Sequence, residues 1–119
     1  MTYDLIKCGL RRDSDDERDV CMPMYFEYIE LPAEFTLKNK IKSVFHQLDA
    51  NSCSANAVSK QINLAGNLDY SLSRLFIYYN SRLGENEGNK RAIKYNGVNL
   101  RSVMKSLLRY NFLDEKDYP

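Results

Sequence analysis

Apolar residues recur at helical spacing in four places along the chain, and nowhere do they alternate convincingly as a strand would. Leu37, Ile41, Val44 and Phe45 fall on a 3.6-residue stripe behind Thr36 as an N-cap. A second helix is expected from about Ser52 to Ala65, with Ala57, Val58, Ile62 and Ala65 on one face, Ser52 as its N-cap and Gly66 as its stop. Leu72, Leu75, Phe76, Tyr79 and Leu83 make a third stripe starting near Ser71, and Leu100, Val103, Met104, Leu107 and Leu108 a fourth that ends near Asn111. The polar run Gly84-Glu85-Asn86-Glu87-Gly88-Asn89-Lys90 reads as a loop between them. No internal repeat is visible. The pattern predicts a mainly α fold of three or four helices.

A length of 119 residues with 44% hydrophobic and 28% charged side chains fits one domain. Apolar runs of only a few residues fall far short of the roughly 20 that a membrane span needs, so a membrane is not among the expected partners. The N-terminus Met1-Thr2-Tyr3-Asp4-Leu5-Ile6-Lys7 has neither a basic run nor a long apolar core, which predicts no secretory signal and an intracellular location, in cytoplasm or virion.

Charge divides the chain. Residues 1–34 hold 4 basic and 9 acidic side chains, a net of −5, while residues 35–119 hold 13 basic and 7 acidic, a net of +6. The first segment, with the run Asp13-Ser14-Asp15-Asp16-Glu17-Arg18-Asp19, is expected to be an acidic extended arm attracted to the helical body. The positive balance of 35–119 is too interspersed with acids to predict nucleic-acid binding, which needs a clustered basic stripe.

Candidate chemistry is sparse. Cys8, Cys21 and Cys53 are odd in number and lack a C-x-x-C spacing, so neither a full disulfide set nor a zinc ribbon is available. His46 is the sole histidine, and no spacing joins it to Cys8 and Cys21 as metal ligands. No metal and no cofactor are expected.

The informative stretch is Gln47-Leu48-Asp49-Ala50-Asn51-Ser52-Cys53-Ser54-Ala55-Asn56-Ala57. It puts a cysteine in the first turn of the second helix, where unpaired N–H groups and the positive end of the macrodipole stabilise an anion and so make a better nucleophile. The Cys53 N–H and a side-chain amide from Gln47 could together cradle an oxyanion. A small buried cysteine beside an ordinary loop glutamine fits the same spacing equally well.

Other blocks of the chain bear on that choice. Gly9-Leu10-Arg11-Arg12-Asp13 with Asp16-Glu17-Arg18-Asp19, Leu31-Pro32-Ala33, Ser52-Cys53-Ser54-Ala55-Asn56-Ala57, Ser73-Arg74-Leu75-Phe76-Ile77-Tyr78-Tyr79-Asn80 with Arg82, Gly97 with Leu100-Arg101 and Lys105-Ser106-Leu107, and Tyr118-Pro119 occur in order. In these blocks the chain resembles the papain-like cysteine proteases, in the compact branch without a signal peptide found in bacteria and large DNA viruses. The resemblance implies that residues 35–119 are the helical left-hand lobe of that α+β fold, that Cys53 is the nucleophile and Gln47 the oxyanion-hole glutamine, and that Asn96-Gly97 lie where substrate backbone passes the cleft. Asn-Gly is equally a plain turn. The resemblance also implies extended chain where Leu37 to Phe45 suggest a helix, and it is preferred there. Leu48 and Asn51 stand where the family prefers glycine. Asparagine tolerates left-handed backbone and leucine does not, so a remodelled turn is expected.

A cysteine peptidase also needs an imidazole base and a group to orient it. In this family the His and Asn follow the cysteine by about 130–150 residues, beyond Pro119, on the β-rich lobe. His46, next to Gln47 on partly extended chain, is expected to face the other way. Two functions follow as expectations. One is a thiol peptidase, a hydrolase present as the lobe without its His and Asn and inactive in isolation, with a peptide or protein substrate once a C-terminal lobe or another protein chain completes it. The other is a pseudoenzyme, a binding or structural component such as a viral particle protein.

Overall fold

A serine or an asparagine precedes each α-helix, because a side-chain oxygen at that position can take up an amide of the first turn that has no carbonyl partner. In the computed structural model, which describes residues 10–20, 30–48, 50–87, 89–90 and 97–119, α1 spans Cys53–Ala65, α2 spans Arg74–Glu85 and α3 spans Leu100–Tyr110. The Phe76 N–H donates to Ser73 Oγ at 3.2 Å, and the Ser102 N–H donates to Asn99 Oδ1 at 2.8 Å. Ser52 occupies the matching place before α1 without a side-chain cap; its hydroxyl instead accepts from Asn56 Nδ2 at 3.1 Å. The described residues are therefore mainly helical. One short 3-10 turn, Lys38–Lys40, and a two-stranded parallel pair, β1 (Leu10–Arg11) beside β2 (Val98–Asn99), complete them.

The core is built from Ala55 and Val58 of α1, Leu72, Ile77 and Tyr78 of α2 and its approach, Val98 of β2 and Val103 of α3. Ile62, Leu68, Leu107 and Phe112 pack around it. Chain 113–118 returns across the start of α2. Ser73 N–H donates to Leu113 O and Glu115 N–H to Ser71 O, both at 2.8 Å, Ser73 Oγ donates to Tyr118 O, and Phe76 meets the Tyr118 ring edge-on at 5.5 Å.

Three points of the sequence reading meet the structure. The Leu37 to Phe45 stripe forms no α-helix, in line with the extended chain preferred there; after the 3-10 turn residues 41–47 run without regular helix, and Ile41 and Val44 are exposed. A lone amphipathic stripe gains little without a surface to bury against. The faces of α1, α2 and α3 are also rotated from the apolar stripes. Ala57, Ala65, Tyr79 and Met104 are exposed, Leu75 is 48% and Leu108 90% exposed, whereas Ser54, Ser59, Ser81 and Ser106 are buried. Small hydroxyls can face a close helix contact when they find carbonyls: Ser54 Oγ donates to Val98 O at 2.8 Å, Ser59 Oγ to Leu72 O at 3.3 Å and Ser81 Oγ to Ile77 O at 2.7 Å. Third, α2 continues through Gly84 and Glu85, which the sequence had assigned to the loop.

Gly66 does end α1, but at φ −82° and ψ −5°; the left-handed residue is Asn67, at φ 49°. What the site requires of Gly66 is space, since a Cβ there would lie 3.1 Å from Ile62 O.

Within the arm, Asp13 accepts the Arg101 N–H at 3.0 Å at the first turn of α3, an anion at the positive end of a helix. The Arg101 guanidinium donates to Ser14 O at 2.9 Å and Asp19 at 2.6 Å. The neighbouring Arg18, donating from its side chain and backbone, holds the Asp16 carboxyl well below the usual carboxylate range, helped by Arg101 and Lys105.

Candidate functional site

Cys53 is the first residue of α1 and half-buried. It borders a cavity of about 300 Å³ with Phe45, His46, Gln47 and Asn56. The structure thus brings Cys53 and Gln47 to the border of one cavity. A neighbouring cavity of about 350 Å³ shares His46, Gln47 and Asn56 and extends to Arg74, Leu75 and Glu115.

The turn between Gln47 and Cys53 is held by its own short bonds. Leu48 N–H donates to His46 Nδ1 at 2.8 Å, Ala50 N–H to Gln47 O at 3.2 Å and Ser52 N–H to Ala50 O at 2.8 Å. Leu48 adopts φ 54°. The turn therefore keeps left-handed geometry at a leucine, where a remodelled turn was expected. Because an imidazolium nitrogen has no lone pair to offer, the bond to Leu48 N–H requires His46 to be unprotonated at Nδ1. Asp49, Asn96, Cys8 and Cys21 lie outside the described residues.

His46 was expected to point away from Gln47, yet it borders the same cavity as Cys53. Extended chain alternates its side chains, but the turn begins at His46 itself, so strict alternation does not carry through it.

Asn56 and Arg74 fix the start of α1. Asn56 Nδ2 donates to Ser52 O at 2.9 Å, Arg74 Nη1 donates to Asn56 Oδ1 at 3.0 Å, and Arg74 Nε and Nη2 donate to Glu115 Oε1 at 3.0 and 2.7 Å. Phe45 lies between two cations, Lys60 Nζ at 4.1 Å from the ring centroid and Arg74 Cζ at 4.2 Å, contacts that attract through the ring quadrupole. Lys60 also donates to Ser43 O at 2.5 Å. The otherwise exposed segment that carries Gln47 is thereby attached to α1 and α2.

Gly97 is buried with φ 81°, a torsion that favours glycine. Its carbonyl accepts from Arg82 Nη1 at 2.7 Å. The Ser54 Oγ to Val98 O bond joins the residues that follow Cys53 and Gly97, so the Gly97 turn is tied to the start of α1.

Periodicity missed Phe45, Asn56, Arg74 and Arg82 as organising residues. Phe45 had been counted into a helical stripe. Asn56, four residues after Ser52, carried a legible signal, since a side-chain amide one turn into a helix can reach back to the residue before it.

No family model, no curated protein and no solved structure matches the chain. Among the described residues, no group of His, Cys, Asp or Glu could hold a metal ion, and no helix is long and apolar enough to cross a membrane.

Proposed function

We propose that residues 35–119 form the helical lobe of a papain-like cysteine peptidase, with Cys53 as nucleophile and Gln47 as oxyanion donor. The observation that carries this reading is Cys53 at the first position of α1, on a cavity it shares with Gln47. In the reaction, Sγ attacks the substrate carbonyl carbon, and the oxyanion that forms takes hydrogen bonds from the Cys53 N–H and the Gln47 amide. The C–N bond then breaks, the amine leaves with a proton from a general acid, and water hydrolyses the thioester to release the acid and restore the thiol. Asn96 and Gly97 guide the substrate backbone.

His46 is a poor base, because Nδ1 is committed to the Leu48 N–H and no carboxylate among the described residues bonds its ring. The base is supplied by a C-terminal lobe or another protein chain. Exposed Phe35, Val44 and Leu48 favour a second reading, a non-catalytic binding or structural component that uses this segment as its contact surface.

Alkylation tests the assignment. With iodoacetamide at neutral pH, mass spectrometry should show Cys53 modified faster than Cys8 or Cys21 in the native chain, and the difference should vanish in denaturant. Equal native rates would overturn the nucleophile reading. The isolated chain should not turn over peptides, and turnover abolished by Cys53→Ala would instead show that a base lies within these 119 residues.

A further inference from the structure

On the face of α3 that meets α2, Ser102 and Ser106 are four residues apart, as are Lys105 and Arg109, so two hydroxyls and two cations share one side of the helix. All four border a cavity of about 250 Å³ between α2 and α3. On the α2 side the wall falls away at Gly84, where an added Cβ would meet nothing within 4 Å.

Ser106 is the exception among the buried serines. Ser54, Ser59, Ser73 and Ser81 all donate to backbone carbonyls, and Ser52 accepts from Asn56. Ser106 is only 5% exposed and borders the cavity, yet its hydroxyl has no hydrogen-bond partner among the described residues. The hydroxyl is therefore open to the cavity, where a ligand oxygen can take its hydrogen bond.

The cations make no close ion pair, although Lys105 lies near enough to Asp16 to help hold that carboxyl ionised. Arg11, Arg18, Arg74, Arg82 and Arg101 each pair with a carboxylate, whereas Lys105 and Arg109 make no ion pair among the described residues. Arg109 instead lies 5.3 Å from the centroid of the Tyr110 ring. Glu85 also borders the cavity, but its carboxylate is taken by Arg11 and Arg82.

We infer that this cleft is a binding site for a tetrahedral oxyanion of the phosphate monoester class, held by Lys105, Arg109 and the hydroxyls of Ser102 and Ser106. Charge-assisted donors approaching from several directions suit three terminal oxygens better than the two coplanar oxygens of a carboxylate. The phosphoryl group sits between Lys105 and Arg109, the two cations that border the cavity. The site does not include Cys53, so it stands or falls independently of the peptidase reading.

The test is an NMR titration of the 119-residue chain with inorganic phosphate and with O-phosphoserine, at neutral pH and constant ionic strength. Saturable shifts at the amides of Ser102 to Arg109 and of α2 near Gly84 are expected, with a Kd of about 1 mM or tighter. Tighter binding of O-phosphoserine would identify an ester ligand and equal binding the free anion; both support the site. Lys105→Gln and Arg109→Gln should each weaken binding about five-fold or more, and Ser106→Ala by about two-fold or more, with circular dichroism unchanged. Linear shifts that do not saturate, full binding retained in the Lys105→Gln/Arg109→Gln double variant, or acetate competing with equal affinity would each overturn the inference.

Discussion

Arg74 and Arg82 stand near opposite ends of α2 and tie it to different parts of the chain. Arg82 is 3% exposed; its Nη1 donates to Glu85 at 2.6 Å and to Gly97 O at 2.7 Å. Glu85 in turn pairs with Arg11 of β1 and accepts from the Asn99 N–H at 3.4 Å, so one ion cluster, buried at Arg82 and open to solvent at Arg11, joins α2, β1 and β2. Arg74 is half-buried and meets Glu115, Asn56 and the face of Phe45 at the border of the Cys53 cavities. A buried guanidinium cannot return to water when its partners are removed, so its interactions become a condition of folding. A half-exposed one can be rehydrated, and its value lies in where it holds its neighbours.

Mutations can break that contrast, and the largest effect belongs to Arg82→Ala. It removes the buried counter-ion and donor from the cluster and should cost about 3 kcal/mol in urea unfolding. Amide exchange at Gly97 to Asn99 should rise with it. A loss below about 1 kcal/mol would mean that Arg11 alone satisfies Glu85.

Arg74→Ala should cost only about 1 kcal/mol, since both partners of its ion pair remain partly solvated. Its signature should be local: faster amide exchange at Ala50 to Asn56, with Gly97 to Asn99 unchanged. Equal acceleration at both places would erase the distinction between the two arginines.

The smallest change sharpens the Arg74 side of the comparison. Leu48 is exposed and left-handed, so Leu48→Gly relieves roughly 1–2 kcal/mol of backbone strain while adding about 0.5–1 kcal/mol of unfolded-chain entropy. A net gain of about 0.5–1 kcal/mol should appear in the urea midpoint. A loss would show that the leucine side chain makes a contact worth more than the torsion costs.

The sequence was read well where a local rule sufficed and poorly where packing chose among options. Ser52 before α1 and Asn111 after α3 mark boundaries because caps and stops are local backbone chemistry. The helix faces were misjudged because apolar counting cannot see that Ser54, Ser59 and Ser81 reach carbonyls and go inside, while Leu75 and Leu108 stay out. At the candidate site, Cys53 and Gln47 could be singled out from spacing and resemblance. Asn56, Arg74 and Phe45 could not, because Glu115 and Lys60 reach them from elsewhere in the chain.

By itself, the sequence determined the mainly helical character, the position of α1 and with it the cysteine at its first turn, since these follow from side-chain chemistry within a few residues. Tertiary structure alone decided which helix faces are buried, that Leu48 is left-handed, and that a cleft bordered by Lys105 and Arg109 opens between α2 and α3. Those outcomes depend on partners distant in sequence, and a backbone torsion or a buried hydroxyl is fixed only once the surrounding contacts exist to outweigh its local cost.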